Sequence, residues 1–426
     1  MGVPLLVLSN GHGEDAIALR VIEALRRRRP QLQVAVLPLV GEGRVFAAAE
    51  RAGALRRLGA CQPLPSGGFS NQSLRGLGAD LAAGLAALSW RQWRWVRRWG
   101  ASGAPLLAVG DLLPLALAWG SGSRFAFLGT PKSDYTWRSP PPPGWGDSPL
   151  ADAYHRCKGS EWDPWEWALM SSRRCRLVAV RDRITARGLR RRGVAVLSPG
   201  NPMLDGFDGE PLPPGLERRR RLLLLPGSRM PEALANGARL LEALELWAGP
   251  EACSVLMACG GPAEPAPWAG LLRSRGWQAE ALGATGAAAG AHAAWRLGSV
   301  SLLLGGGRFE AWAGWAEVGL ATAGTATEQL AGLGVPALSL PGPGPQFRAG
   351  FARRQSRLLG GAVHPCRTPA ELAARLRRLL DDPLQRRRLG TIGQRRMGPA
   401  GGSEVLAALV EERLLARPGP GGAGLG

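Results

Sequence analysis

The sequence predicts an α/β protein of two domains whose parallel sheets face a central cleft, and three observations predict it. Short apolar runs alternate with longer amphipathic stretches from the start of the chain, the pattern of βαβ units. A Pro- and Gly-containing, charged segment at 206–220 interrupts this alternation, which then begins again. Beyond the interruption, two stretches (Leu-Leu-Leu-Leu-Pro-Gly-Ser-Arg at 222–229 and Ala-Gly-Thr-Ala-Thr-Glu-Gln at 323–329) carry a buried strand straight into a helix. Open α/β sheets bind their ligands at such strand ends.

The first domain, 1–205, opens with an apolar run at 5–8 that breaks at Asn10-Gly11. It lacks a basic leader and a cleavage site, so it reads as a strand, not a signal peptide. A helix over 15–29 and a strand over 33–37 complete the opening unit, and further strands are predicted at 106–109, 125–128, 177–180 and 195–197. Pro140 to Pro143 with Gly144 form an extended loop, which helix interiors and central strands exclude. The linker is 206–220. The second domain, 221–400, has predicted strands at 221–225, 254–258, 301–304, 319–322 and 337–340, with a helix at 232–244. The segment 401–416 has the spacing of an amphipathic helix, and the Gly/Pro tail at 417–426 is predicted to be disordered.

Composition narrows the class of function. The chain has 426 residues, 45% of them apolar, with no uninterrupted apolar stretch of membrane-spanning length, which predicts a soluble protein. Six cysteines lack paired metal spacing and four histidines do not cluster with them, fitting a reduced cytoplasmic setting without structural zinc. The net charge is +20, yet of 53 basic side chains only Lys132 and Lys158 are lysine, a bias that composition alone explains. No nucleic-acid-binding signature accompanies the charge, and no nucleic-acid partner is expected; an anionic membrane surface or a phosphorylated substrate accounts for it equally well.

The loops carry the chemistry. At Pro226-Gly227-Ser228-Arg229, two readings fit: backbone N–H groups at a helix N-terminus, with Arg229, binding a diphosphate, or a tight turn with Ser228 as helix cap. At Gly324-Thr325, Thr325 with Glu328 matches a capping box, while Glu328 or Gln329 facing the cleft would bind ribose hydroxyls. Gln346 lies on a Gly/Pro loop downstream. The N-terminal loop Asn10-Gly11-His12-Gly13-Glu14-Asp15 joins strand to helix, its glycines admitting a substrate and its polar side chains supplying acid/base groups, with Asp15 also readable as a cap. Asp111 follows the strand at 106–109 and reads either as a base or as a cap. Between Trp90 and Trp99, tryptophan and arginine interleave; Trp90, Trp93, Arg94 and Arg97 suit a membrane interface, against the alternative of buried indoles and solvated arginines.

Taken in order, these residues resemble the lipid-A-disaccharide synthase-related glycosyltransferases and, more distantly, the peptidoglycan GlcNAc transferase. Leu225-Pro-Gly-Ser-Arg229 with Glu232 is similar to the synthase's Leu-Pro-Gly-Ser-Arg-x-x-Glu, Gly200-Asn-Pro202 with Asp205 to its interdomain segment, and Gly324-Thr-Ala-Thr327 to its Gly-Thr-Ala-Thr loop. The resemblance implies a GT-B fold of two Rossmann-like domains, an inverting, metal-independent transfer, no cofactor, and a C-terminal helix packed on the N-terminal domain. It implies donor contacts at Gly227, Ser228, Arg229, Gly324, Thr325, Thr327, Glu328, Gln329 and Gln346, and an acceptor side at 10–14. Two positions depart from the pattern. Gln329 stands where the relatives carry an acidic ribose ligand, and Gly11-His-Gly-Glu-Asp15 replaces the synthase's Gly-Glu-x-Ser-Gly-Asp while keeping its final Asp.

The expectation is a cytoplasmic glycosyltransferase, peripheral on the membrane, that moves a sugar from a UDP-GlcNAc-type donor to a lipid-linked acceptor, with Asp111 as base and Asp15 second. Two rivals stand beside it. A UDP-GlcNAc 2-epimerase-like isomerase would turn over the donor alone, and a non-catalytic basic membrane-binding protein would be indifferent to loss of either aspartate.

Overall fold

The computed structural model describes residues 4–59, 85–146, 149–207, 209–249, 251–260, 265–342 and 347–416. The tail at 417–426, the start of the Trp/Arg helix near Gly78, the side chain of His12 and Gln346 lie outside the described residues.

The chain divides into two compact units, one of Met1–Asp134, Ala153–Asp205 and Pro399–Gly426, the other of Tyr135–Asp152 and Gly206–Gly398. In the first, β1 (Leu5–Ser9), β2 (Val34–Pro38), β3 (Arg56–Arg57), β4 (Leu106–Gly110), β5 (Phe125–Gly129) and β6 (Cys175–Val180) form a parallel sheet in the order β3-β2-β1-β4-β5-β6. Strands β1, β2, β4 and β5 are buried along their whole length, as expected of parallel strands covered by helices on both faces. The strand order reverses direction between β1 and β4, so the loops after these two strands flank the switch point of the sheet.

In the second unit, β7 (Arg220–Leu225), β8 (Cys253–Cys259), β9 (Gln278–Glu280), β10 (Ala293–Leu297), β11 (Val300–Gly306), β12 (Val318–Ala321), β13 (Ala337–Ser339) and β14 (Val363–Pro365) are ordered β14-β13-β12-β7-β8-β11-β10-β9. Among the described strands only β10 runs against the rest, pairing antiparallel with β9 and with β11 near one edge. Here the switch point lies between β7 and β12.

Four of these strands escape the sequence reading. β3 is two arginines, β9 is Gln-Ala-Glu, β14 is Val-His-Pro, and β10 carries Trp and Arg in a hairpin, so none is an apolar run. Conversely, the predicted strand at 195–197 is only a single parallel bridge, Ala179 to Leu197.

Two boundaries also differ. Residues 135–152, assigned by sequence to the first domain, belong to the second unit. The buried Arg357 guanidinium donates to the Ser139 carbonyl at 2.8 Å and the Asp152 carboxylate at 2.7 Å, and Arg396 donates to the Ser139 hydroxyl at 2.9 Å. Breaking that buried pair would strand a charge, so the segment is fixed there. The last helix, Gly402–Val410, continues as Glu411–Leu415 and lies in the first unit against the helix His12–Arg28. Its N-terminus is capped from a distance, by the Asp205 carboxylate accepting from Gly401 N at 2.5 Å and Ser403 N at 2.7 Å. Among the described residues, no helix is long and apolar enough to cross a membrane.

Candidate active site

In the first unit, the loops after β1 and β4 bring several of the expected residues together. Because Ser9 pairs with Val109, Asn10 stands level with Gly110 and Asp111. Asn10 donates from Nδ2 to Asp111 Oδ1 at 2.7 Å, and the same oxygen accepts from Leu113 N at 3.2 Å. Asp111 therefore caps the helix Leu112–Gly120 and is also oriented by Asn10. The close approach demands glycine beside it: Gly110 has φ 136°, and a Cβ there would lie 2.9 Å from Asn10 Cβ. Glu14 joins the group, half-buried, with the Thr130 hydroxyl 3.5 Å from its Oε1.

Asp15 is buried and does not take the capping role its sequence offers. It is not the cap of the helix His12–Arg28, whose N-cap is Gly11, and it is 1% exposed with the Ser9 hydroxyl donating to its Oδ1 at 2.5 Å. Burial pushes its carboxyl up to about 7, with the Ser9 bond and the Gly11 backbone pulling the other way. Asp111 is only half-buried. Burial raises its carboxyl above the ordinary range as well, opposed by Leu113 N–H and the nearby Lys132 ammonium.

In the second unit, the two loops that dominate the sequence start side by side, because Leu225 pairs with Ala321. Thr322 locks them together: its N–H donates to the Leu225 carbonyl at 2.9 Å and its hydroxyl to the Pro226 carbonyl at 2.9 Å. Ser228 does not cap the following helix, Glu232–Trp247, which has Pro231 at its N-cap and no side-chain cap bond. Ser228 is exposed, and Arg229 is half-buried at the helix entrance, its guanidinium lowered by burial with Glu232 opposing. This arrangement leaves a helix N-terminus without a side-chain cap beside a cation, which favours an anion. The loop after β8 closes on it, since a Cβ on Gly260 would lie 2.2 Å from Ser228 Cβ.

The second loop corrects two expectations. The N-cap of the helix Thr325–Gly332 is Gly324 and makes no side-chain cap bond, so Thr325 is the first helical residue and the capping box does not form. Thr327 is fully buried and donates its hydroxyl to the Ala323 carbonyl at 2.6 Å, which removes it from the donor contacts. Thr325 is exposed, and Glu328 and Gln329 are half-buried on the same turn. Sequence reasoning missed the groups that support these loops. Gln355, 2% exposed, donates from Nε2 to the Gly324 carbonyl at 3.0 Å, and Asn236 donates to the Pro226 carbonyl at 3.3 Å. Gln355 reaches back from a helix 31 residues further along the chain, whereas Asn236 lies on the helix that the Pro226 loop itself enters.

No protein-family model matches the sequence, and no curated protein matches it. Solved structures match along nearly the whole chain. MurG from Acinetobacter baumannii shares 15% identity over 96% of this chain and 99% of its own, with a TM-score of 0.51. The glycotransferase of kitacinnamycin shares 15% over 97% and 99%, at 0.55. The fold is GT-B. A third GT-B-like neighbour, the UDP-GlcNAc 2-epimerase from Neisseria meningitidis bound to UDP-GlcNAc, shares 11% over 96% and 100%, at 0.52. Transferases and epimerases thus stand together among the neighbours, and the likeness to them is one of GT-B fold.

Proposed function

We propose that this chain is a glycosyltransferase that takes a sugar from a UDP-GlcNAc-type donor and attaches it to a lipid-linked acceptor, with inversion and without a metal. The observation that carries the reading is the Pro226–Gly227–Ser228–Arg229 loop at the N-terminus of a helix with no side-chain cap, tied by Thr322 to the Gly324–Thr325 loop. The second unit holds the donor. Its diphosphate accepts hydrogen bonds at the helix N-terminus and takes the charge of Arg229, while Glu328 or Gln329 accepts ribose hydroxyls.

Asp111 is the base. It removes the proton from the acceptor hydroxyl as that oxygen attacks the anomeric carbon, and the bond to the diphosphate breaks with its electrons leaving on UDP. The helix end and Arg229 stabilise the charge that develops there. Asp15 is too deeply buried to reach a substrate, and Asn10 and Glu14 lie beside Asp111 on the acceptor side, with Gly11 at the N-cap of the helix and His12 and Gly13 in its first turn. The helix Leu85–Ala101 supports a lipid-linked acceptor, because its exposed Trp90 and Trp93 stand with Arg94 and Arg97 and suit an anionic lipid surface on the cytoplasmic face of a membrane.

Calorimetric titration with UDP and UDP-GlcNAc tests the reading. Binding is expected, with at least a tenfold loss in R229A; absence of binding to any UDP-sugar or to UDP sinks it. The epimerase reading keeps a place because a neighbour of the same fold is bound to UDP-GlcNAc. Incubation with UDP-GlcNAc alone separates the two, since a new sugar nucleotide formed without acceptor selects the epimerase.

A further inference from the structure

The chain uses arginine at all but two of its 53 basic positions, and both exceptions meet in one cluster of the first unit. Lys158 Nζ pairs with Asp163 Oδ1, and Lys132 Nζ stands 3.8 Å from the other oxygen of that carboxylate. Lys132 Nζ also donates to Glu166 Oε2 at 2.5 Å and lies 5.0 Å from the centre of the Trp162 ring. This cradle is rigid. Glu166 is fully buried and closes a capping box with Asp163 at the start of the helix Pro164–Met170, and the fully buried Trp162 packs edge-on against Phe127 of β5. A compact ammonium fits between a carboxylate and an indole face, where the planar fork of arginine needs more room and spreads its charge.

Lys132 lies in the loop after β5, next to the loop after β4 that carries Asp111. Gly110 pairs with Gly129, and Thr130 N donates to the Gly110 carbonyl at 3.3 Å. We propose that Lys132 is a positioning residue for Asp111: its ammonium, fixed in the Glu166 and Trp162 cradle, keeps the Asp111 carboxylate in the ionised form that can accept a proton. The role rests on the reading of Asp111 as the base.

Among the described residues, the charged and titratable groups near Asp111 include Lys132 from the β5 loop, Arg181, whose guanidinium donates to the Thr130 carbonyl of that loop at 3.4 Å, Glu14 and Asp15 from the helix His12–Arg28, and, behind Lys132, Glu166 with the N-cap Asp163. Asn10, the direct partner of Asp111, is neutral. Burial works against the ionised carboxylate, and Lys132 is the cation that opposes it from this set. Glu166 in turn neutralises part of the Lys132 charge, so the two side chains act on Asp111 with opposite sign.

The test is a carboxyl titration by 13C NMR on the full chain labelled at aspartate, with the Asp111 resonance assigned by D111N. K132M is expected to raise the Asp111 midpoint by about one unit, and K132R to restore part of it. E166Q, which retains an acceptor for the Asp163 N–H, is expected to lower the midpoint. An unmoved midpoint in K132M, or shifts of the same sign in K132M and E166Q, overturns the proposal. Should K132M not fold, E166Q decides alone: a lowered midpoint supports the coupling, and an unchanged or raised one overturns it. No donor enters this measurement. Failure to bind UDP would therefore remove the transferase reading and leave the coupling standing, while an unmoved midpoint beside intact UDP binding would do the reverse.

Discussion

At the scale of single residues, Asp111 has two jobs that different substitutions separate. It caps the helix Leu112–Gly120 and, in the proposed mechanism, accepts the acceptor's proton. Asparagine caps helices as well as aspartate, so D111N should leave thermal stability within a degree or two, whereas D111A should lose about 1 kcal/mol. Both should lower transfer by roughly 10²- to 10⁴-fold with UDP binding by calorimetry unchanged. Transfer at the wild-type rate in D111N would reject Asp111 as base. Asp15 makes a different prediction. Its carboxyl keeps a proton up to about 7 in the folded chain but loses it near the ordinary 3.8 when unfolded. Between those values the folded state binds more protons, so Asp15 makes stability fall as pH rises from about 4 to about 7, with no further change above that. D15N cannot ionise. Urea unfolding across this range should show wild type losing stability relative to D15N by up to about 4 kcal/mol, and parallel pH profiles for the two would contradict the buried, protonated state.

At the scale of elements, the helix Leu85–Ala101 resolves an ambiguity that its sequence leaves open. Leu88, Gln92 and Val96, four residues apart, are buried, and Gln92 donates to the Leu39 carbonyl at 2.8 Å. The other face holds Trp90 at 59% exposure, stacked on Trp93, together with Trp95 and Arg91, Arg94, Arg97 and Arg98. Three exposed indoles among four guanidinium groups are the surface that the proposed membrane attachment would use. Co-sedimentation with vesicles containing anionic phospholipid should fall at least tenfold in W90A/W93A and should weaken as salt is raised; equal binding by the variant would remove this helix from membrane attachment. The last helix offers a second test. Asp205 supplies the carboxylate that two N–H groups at its start require, so D205A should cost about 1–2 kcal/mol of unfolding free energy and hasten proteolysis within 402–415.

At the scale of the whole molecule, the proposed function assigns different chemistry to the two units, and ligand binding should test it. The Pro226 and Gly324 loops lie in the second unit and Asp111 in the first. Saturation with UDP at about 100 times its dissociation constant should stabilise what it binds by roughly 2.7 kcal/mol. Hydrogen exchange should then slow at 226–235 and 322–332, and protection confined to the first unit would misplace the donor site. The longer parallel strands were legible because each carries a continuous apolar run. β3, β9, β10 and β14 were not, because pairing with a neighbour, and not their own side chains, makes them strands. The loops were legible for the same reason as the strands they follow, but what holds their groups in place depended on packing and on partners elsewhere in the chain, Asn10 for the Asp111 carboxylate and Gln355 for the Gly324 carbonyl.

The sequence by itself determined the α/β class, the restart of the alternation near 220, and the two strand-to-helix loops, since local periodicity and chain-breaking residues encode these directly. Only the tertiary structure decided that Thr327 is spent on its own helix, that Asp15 is sealed away while Asp111 stays half-open, that 135–152 belongs with the second unit, and that the two lysines share one carboxylate. Burial and long-range pairing set the charge and direction of a side chain, and these exist only once distant segments have packed.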